Sequence, residues 1–217
     1  VEGSAAVAPV ADSIDSSDTG DVDDPAGPSG DPHEDAVTSA SPLAVGVVVW
    51  LASEVMFFAG LFAAYFVLRS ENDPWPPAGA ELDVAQAALS TVLLLTSSFT
   101  MHLAVKAAER DDHRRVGRWL AVTLTLGVLF LVNLGLEWML LDFQLDTDAY
   151  GSIYYLITGF HGLHVLGGLV LMVAVAALVL GKGSRAPIGQ SVAVTGYYWH
   201  FVDAVWIVVF LVIYLLQ

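Results

Sequence analysis

The chain contains no cysteine. Disulfides, thiolate metal sites and cysteine nucleophiles are therefore excluded, and cysteine usage gives no reading of the redox compartment. Charge is also sparse. Only 14% of the 217 residues are charged, against 56% hydrophobic. Soluble domains carry about a quarter charged residues, so this composition is that of an integral membrane protein. Basic residues are the scarcest, eight against 23 acids, and the net charge is −15. That charge is concentrated. Residues 1–41 hold ten acids (Glu2, Asp12, Asp15, Asp18, Asp21, Asp23, Asp24, Asp31, Glu34 and Asp35) and no Lys or Arg. The rest carries eight basic and thirteen acidic side chains. Neither part offers the basic footprint that nucleic acid requires.

Residues 1–41 also lack aromatics and are rich in Asp, Ser, Ala, Gly and Pro. Such a segment cannot bury enough apolar surface to offset the entropy of ordering, so a disordered acidic tail is expected. It has no basic n-region followed by an apolar core, and so does not read as a signal peptide. A docking arm for a basic partner and a plain solvated extension are the two readings of it.

Five apolar runs fill residues 42–217, near 43–68, 83–108, 116–141, 152–180 and 191–216. Each exceeds the roughly 20 residues needed to cross about 30 Å of hydrocarbon. Pro42 precedes the first and Pro187 the last, where helix breakers belong. Barrel strands would be about half as long and alternating. The predicted fold is therefore an all-α integral membrane protein, a five-transmembrane-helix bundle. The loop after span two holds Lys106, Arg110, Arg114, Arg115 and Arg118, and the loop after span four holds Lys182 and Arg185. The other two loops hold only Arg69. The positive-inside rule then puts the N-terminus in the cytoplasm and the C-terminus outside.

Ionisable groups inside the spans cost several kcal/mol unless paired, which makes each a functional candidate. Glu54 lies about halfway along span one and is expected to be either neutral or held by a partner. It suits proton exchange, contact with a lipid headgroup or a partner, or a simple hydrogen bond to a neighbouring helix. Span two carries Ser90, Thr91, Thr96, Ser97, Ser98 and Thr100, a set suited to close packing. His102, beside Lys106, reads as interfacial. Glu137, next to Trp138 near the end of span three, reads as accessible to water. Span four places His161 and His164 three apart among four glycines in ten residues, Gly159 to Gly168. Span five places His200 three before Asp203, so the two are expected to satisfy each other. One hydrogen-bonded cluster of His161, His164, His200 and Asp203 is the favoured arrangement. The rival is bis-histidine haem ligation by His164 and His200. A zinc or copper site would need three or four ligands with a second shell, which the few carboxylates do not supply.

Five segments together resemble subunit III of the haem–copper cytochrome c oxidases. They are Ser53-Glu54-Val55-Met56-Phe57-Phe58-Ala59-Gly60, Trp75-Pro76-Pro77, Tyr150-Gly151-Ser152, Thr158-Gly159-Phe160-His161-Gly162-Leu163-His164-Val165 and Tyr198-Trp199-His200-Phe201-Val202-Asp203-Ala204-Val205-Trp206. The resemblance runs in order from about residue 43 to the end. It implies a bacterial plasma-membrane accessory subunit of an aa3-type cytochrome c oxidase. Such a subunit has no catalytic residue, metal or haem of its own, and packs beside subunits I and II, which hold haem a and copper. It also implies bound phospholipid, proton uptake supported in subunit I, and a cytochrome bc complex as a further partner in a supercomplex. Glu54 matches the family's carbodiimide-reactive carboxylate, and His161, His164 and His200 match structural histidines. Trp75, His102, Arg110 and Trp199 are expected to touch lipid or a neighbouring subunit. Mitochondrial members have seven spans; this sequence has five, with the acidic tail in place of the first two. Subunit III of a quinol oxidase, a nitric oxide reductase-associated homologue and a free-standing proton channel are the alternatives.

Overall fold

The structure is a computed structural model that describes residues 42–181 and 188–216. The acidic tail expected over 1–41, and Lys182, Arg185 and Pro187, lie outside the described residues. Five helices account for nearly all of the rest: α1 (Pro42–Glu71), α2 (Val84–Ala108), α3 (His113–Leu140), α4 (Ala149–Leu180) and α5 (Ile188–Val209). A six-residue π-helix, Phe210–Leu215, continues α5. All five are long and apolar enough to cross a membrane.

Three of the helix starts follow from an aspartate. Asp83 accepts from the Ala85 and Gln86 amides at 2.9 and 3.1 Å. Asp112 accepts from the Arg115 amide at 3.0 Å, and Asp148 from the Gly151 amide at 2.7 Å. Each carboxylate satisfies amides that have no intrahelical partner and faces the positive end of the helix dipole. These caps place α3 and α4 three residues earlier than their apolar runs suggest.

Helices α2 and α3 form an antiparallel hairpin joined by a tight turn in which Asp111 adopts φ 55°. Small and hydroxylated side chains line the seam. Thr100 and Thr123 share a 2.7 Å bond, and Asn133 reaches across to the Ser90 hydroxyl at 2.7 Å. The Gln86 amide completes this bridge by donating to the Asn133 carbonyl at 3.2 Å. In hydrocarbon, where apolar burial gives little drive, such contacts and close backbone approach hold helices together.

The centre of the bundle is Trp199 of α5, which is fully buried. Its indole occupies a slot between two glycines. A Cβ on Gly127 of α3 would lie 2.9 Å from the ring, and one on Gly168 of α4 would lie 2.8 Å from it. The indole N–H donates to Ser97 of α2 at 2.9 Å. Four helices thus meet on one side chain. Helix α1 stands apart from this core. Only 6% of its most apolar stretch is buried, against 50% for α5, and among the described helices it packs mainly against α4 and α5.

Candidate functional site

One face of α1, at positions 50, 54, 57, 58, 61 and 65, touches the rest of the chain, a spacing that follows the helical repeat. Trp50 stacks on Tyr198 with ring centroids 5.2 Å apart, and Phe57 meets Phe160 edge-on at 4.9 Å. Between them Glu54 Oε2 lies 3.1 Å from His164 Nε2. At 1.5 Å per residue this contact is roughly 18 Å along a helix of about 45 Å, well inside the membrane. The two side chains are 23% and 16% exposed.

The hydrogen-bond roles within this pair follow from its outer contacts. His164 Nδ1 lies 2.7 Å from the Phe160 carbonyl oxygen, which can only accept, so Nδ1 carries a hydrogen. A hydrogen bond across the remaining contact then needs one proton between Nε2 and Oε2. With it on the carboxyl, Glu54 donates to a neutral imidazole. With it on the ring, an imidazolium donates to a carboxylate. The pair is neutral in either form, which is how an ionisable residue is accommodated at this depth. Phe58 packs against the imidazole at 5.0 Å, and Tyr198 donates to the His164 backbone carbonyl at 2.9 Å. Glu54 therefore has the partner that the sequence left unnamed.

The expected single cluster of His161, His164, His200 and Asp203 is not formed. His200 Nδ1 lies 2.6 Å from the Ser98 hydroxyl of α2, not against Asp203. Asp203 is 4% exposed and makes no close hydrogen bond among the described residues; its polar neighbour is Ser98, the side chain that also meets His200. His161 is fully buried between Phe130 and Trp206, with neither nitrogen partnered. The reason is angular. Residues three apart on a helix are offset by about 60°. That offset turns His164 to α1 and His161 into the core, and leaves His200 at the edge of α5 while Asp203 stays inside. Among the described residues no group of three or more His, Asp or Glu is placed to hold a metal ion.

Two further expectations change. Trp199, expected at a lipid or subunit contact, lies at the centre of the bundle, because Gly127 and Gly168 open a slot for it. Trp75 is half-buried and works within the chain, donating to Tyr65 at 3.1 Å and packing on Tyr150 at 5.0 Å. His102 and Arg110 are exposed. Glu137, expected near water, is 2% exposed. Its Oε1 accepts from Tyr214 at 2.7 Å and from Tyr154 at 3.2 Å. The π-helical turn carries Tyr214, and its wider turn shifts the phase of that residue relative to α5. Arg69 of α1 donates to the Leu216 carbonyl, tying that end of α1 to the same region.

These features define a polytopic helical membrane protein with one ionisable pair linking a peripheral helix to a four-helix core. The family model for cytochrome c oxidase subunit III matches residues 21–217. A probable cytochrome c oxidase subunit 3 of Mycobacterium leprae is 46% identical over 180 residues, covering 81% of this chain and 88% of the relative. One from Nocardia farcinica is 45% identical over 181 residues, with the same coverage. The cytochrome c oxidase subunit 3 of Thermostichus vulcanus is 38% identical over 173 residues, 79% of this chain and 86% of that one. The chain belongs to the cytochrome c oxidase subunit III family. It is thus a membrane-spanning subunit of an oxidoreductase complex that contains other oxidase subunits.

Proposed function

We propose that this chain is the non-redox accessory subunit III of a proton-pumping, aa3-type cytochrome c oxidase in a bacterial plasma membrane. Electrons pass from cytochrome c to oxygen at haem a and copper centres held by subunits I and II. This chain stabilises subunit I and supports its proton uptake. The distribution of Lys and Arg favours a cytoplasmic N-terminus and an external C-terminus.

The observation that carries this reading is the Glu54–His164 pair, in a chain matched to the family over residues 21–217. A neutral, proton-sharing pair at mid-membrane pins α1 to the core without creating a free charge. The outward faces of α1, with Val48, Val49, Met56 and Val67 all exposed, remain available to phospholipid and to subunit I. A proton channel through the chain itself would need its polar groups connected. His161 makes no hydrogen bond to any described residue and so breaks any such connection, which speaks against that alternative.

The test is removal of this chain from the purified oxidase. Haem a absorption, copper content and initial turnover are expected to persist, while activity decays faster over repeated turnovers. Loss of haem or copper together with the chain would assign it a redox centre and overturn the proposal. An unchanged activity lifetime would remove the stabilising role.

A further inference from the structure

A second feature lies at the α2–α3 turn. The end of the hairpin opens into a cleft of about 880 Å³. Lys106 and Arg110 line it from α2 and the turn, and Arg115, Arg118 and Trp119 from α3. Its one acid, Asp112, is already engaged: it pairs with Arg115 at 3.1 Å and caps α3 through the Arg115 amide. Lys106, Arg110 and Arg118 form no ion pair among the described residues.

The apolar side of the cleft ends at Val122, which also borders a second hollow, of about 280 Å³. Its other walls are Ala121, Thr125 and Leu126 of α3. The Thr125 hydroxyl donates to the Ala121 carbonyl at 2.9 Å, so its donor is spent within the helix. From Trp119 to Leu126 the helix rises about 10 Å, enough to carry an acyl chain from a charged rim down an apolar wall. The cationic cleft, the tryptophan at its lower edge and the apolar hollow beneath form one amphipathic track, ordered as a phospholipid is ordered.

We propose that this track binds one anionic phospholipid, with its phosphate among Lys106, Arg110 and Arg118 and an acyl chain over Val122, Thr125 and Leu126. A zwitterionic headgroup would bring its own cation into a cleft that is already cationic, so an anionic headgroup is selected. An acidic peptide would meet the cations and leave the hollow beyond Val122 unfilled. The amphiphile satisfies both. The site does not depend on the role proposed for Glu54.

The experiment uses the intact oxidase in phosphatidylcholine nanodiscs containing a trace of photoreactive phosphatidylglycerol, with a diazirine midway along one acyl chain. Peptide mapping is expected to place labels within residues 121–126, several-fold above labelling by a phosphatidylcholine probe of the same design. Each of Arg110→Gln and Arg118→Gln is expected to lower labelling about fivefold, and Arg118→Lys to keep most of it. Both positions are exposed surface groups, and the assembled complex serves as its own control for folding. Equal labelling by the two probes would overturn the proposal, as would labelling that ignores both substitutions. So would an unlabelled segment whose arginines cross-link to another subunit or to an acidic peptide.

Discussion

Replacing Glu54 by leucine removes the only polar contact that the described residues show between α1 and His164. The imidazole then keeps its bond to the Phe160 carbonyl and loses its partner at Nε2, in a site where Phe57 and Phe58 pack on the ring. Leaving a largely buried acceptor unsatisfied costs about 1–3 kcal/mol. The corresponding shift in an α1 attachment or subunit-retention equilibrium is about 5- to 150-fold. Glu54→Gln behaves differently. Its amide can donate to Nε2 of the neutral imidazole, so the loss should stay below about 1 kcal/mol. A double-mutant cycle isolates the contact: Glu54→Leu, His164→Phe and the pair, read as retention of this chain in the oxidase during a denaturing-detergent titration. The expected coupling is about 1–3 kcal/mol, against less than about 0.5 kcal/mol for a cycle between Glu54 and His200, which do not touch. A Glu54–His164 coupling no larger than this control would refute the reasoning. Equal damage from Glu54→Gln and Glu54→Leu would refute the shared neutral proton.

The Trp199 slot makes Gly168→Ala costly, by about 1–3 kcal/mol, because the new Cβ would meet a rigid indole at 2.8 Å. Gly60→Ala and Gly135→Ala, with nothing within 4 Å, should leave thermal stability unchanged or slightly raised in the same melting assay. Asp203 does not pair with His200, and asparagine keeps a polar group toward Ser98, so Asp203→Asn should not weaken subunit retention. A loss of more than about 1 kcal/mol would show a bond that these contacts do not contain. Tyr214→Phe removes the 2.7 Å bond to Glu137 and should cost about 1 kcal/mol in thermal stability. No change in the melting temperature would mean that Tyr154 alone satisfies that carboxyl.

Span number, fold class and the mid-membrane position of Glu54 could be read from hydropathy and length, because hydrocarbon leaves the backbone few options. Helix starts were harder to read. Asp112 and Asp148 extend α3 and α4 beyond the apolar run, and hydropathy is blind to a cap. Interhelical partners were harder still. That His164 turns to α1 while His161 enters the core depends on helix rotation, which a three-residue spacing does not determine. Glu137 illustrates the limit. Beside Trp138 it resembles an interfacial acid, yet Tyr154 and Tyr214, 17 and 77 residues further on, enclose it. The glycines of span four signalled close approach. What approaches Gly168, and the matching role of Gly127, became visible only once Trp199 was in place.

The central claim is that this chain works within an oxidase and contributes no redox centre to it. The most direct measurement is affinity purification in mild detergent through a tag on this chain, followed by an absorption spectrum of the complex and then of the chain separated from it. The account predicts haem a bands with subunits I and II in the complex, and no Soret absorption from the isolated chain. A colourless single chain from the first step, or a haem band that stays with the isolated chain, would contradict it.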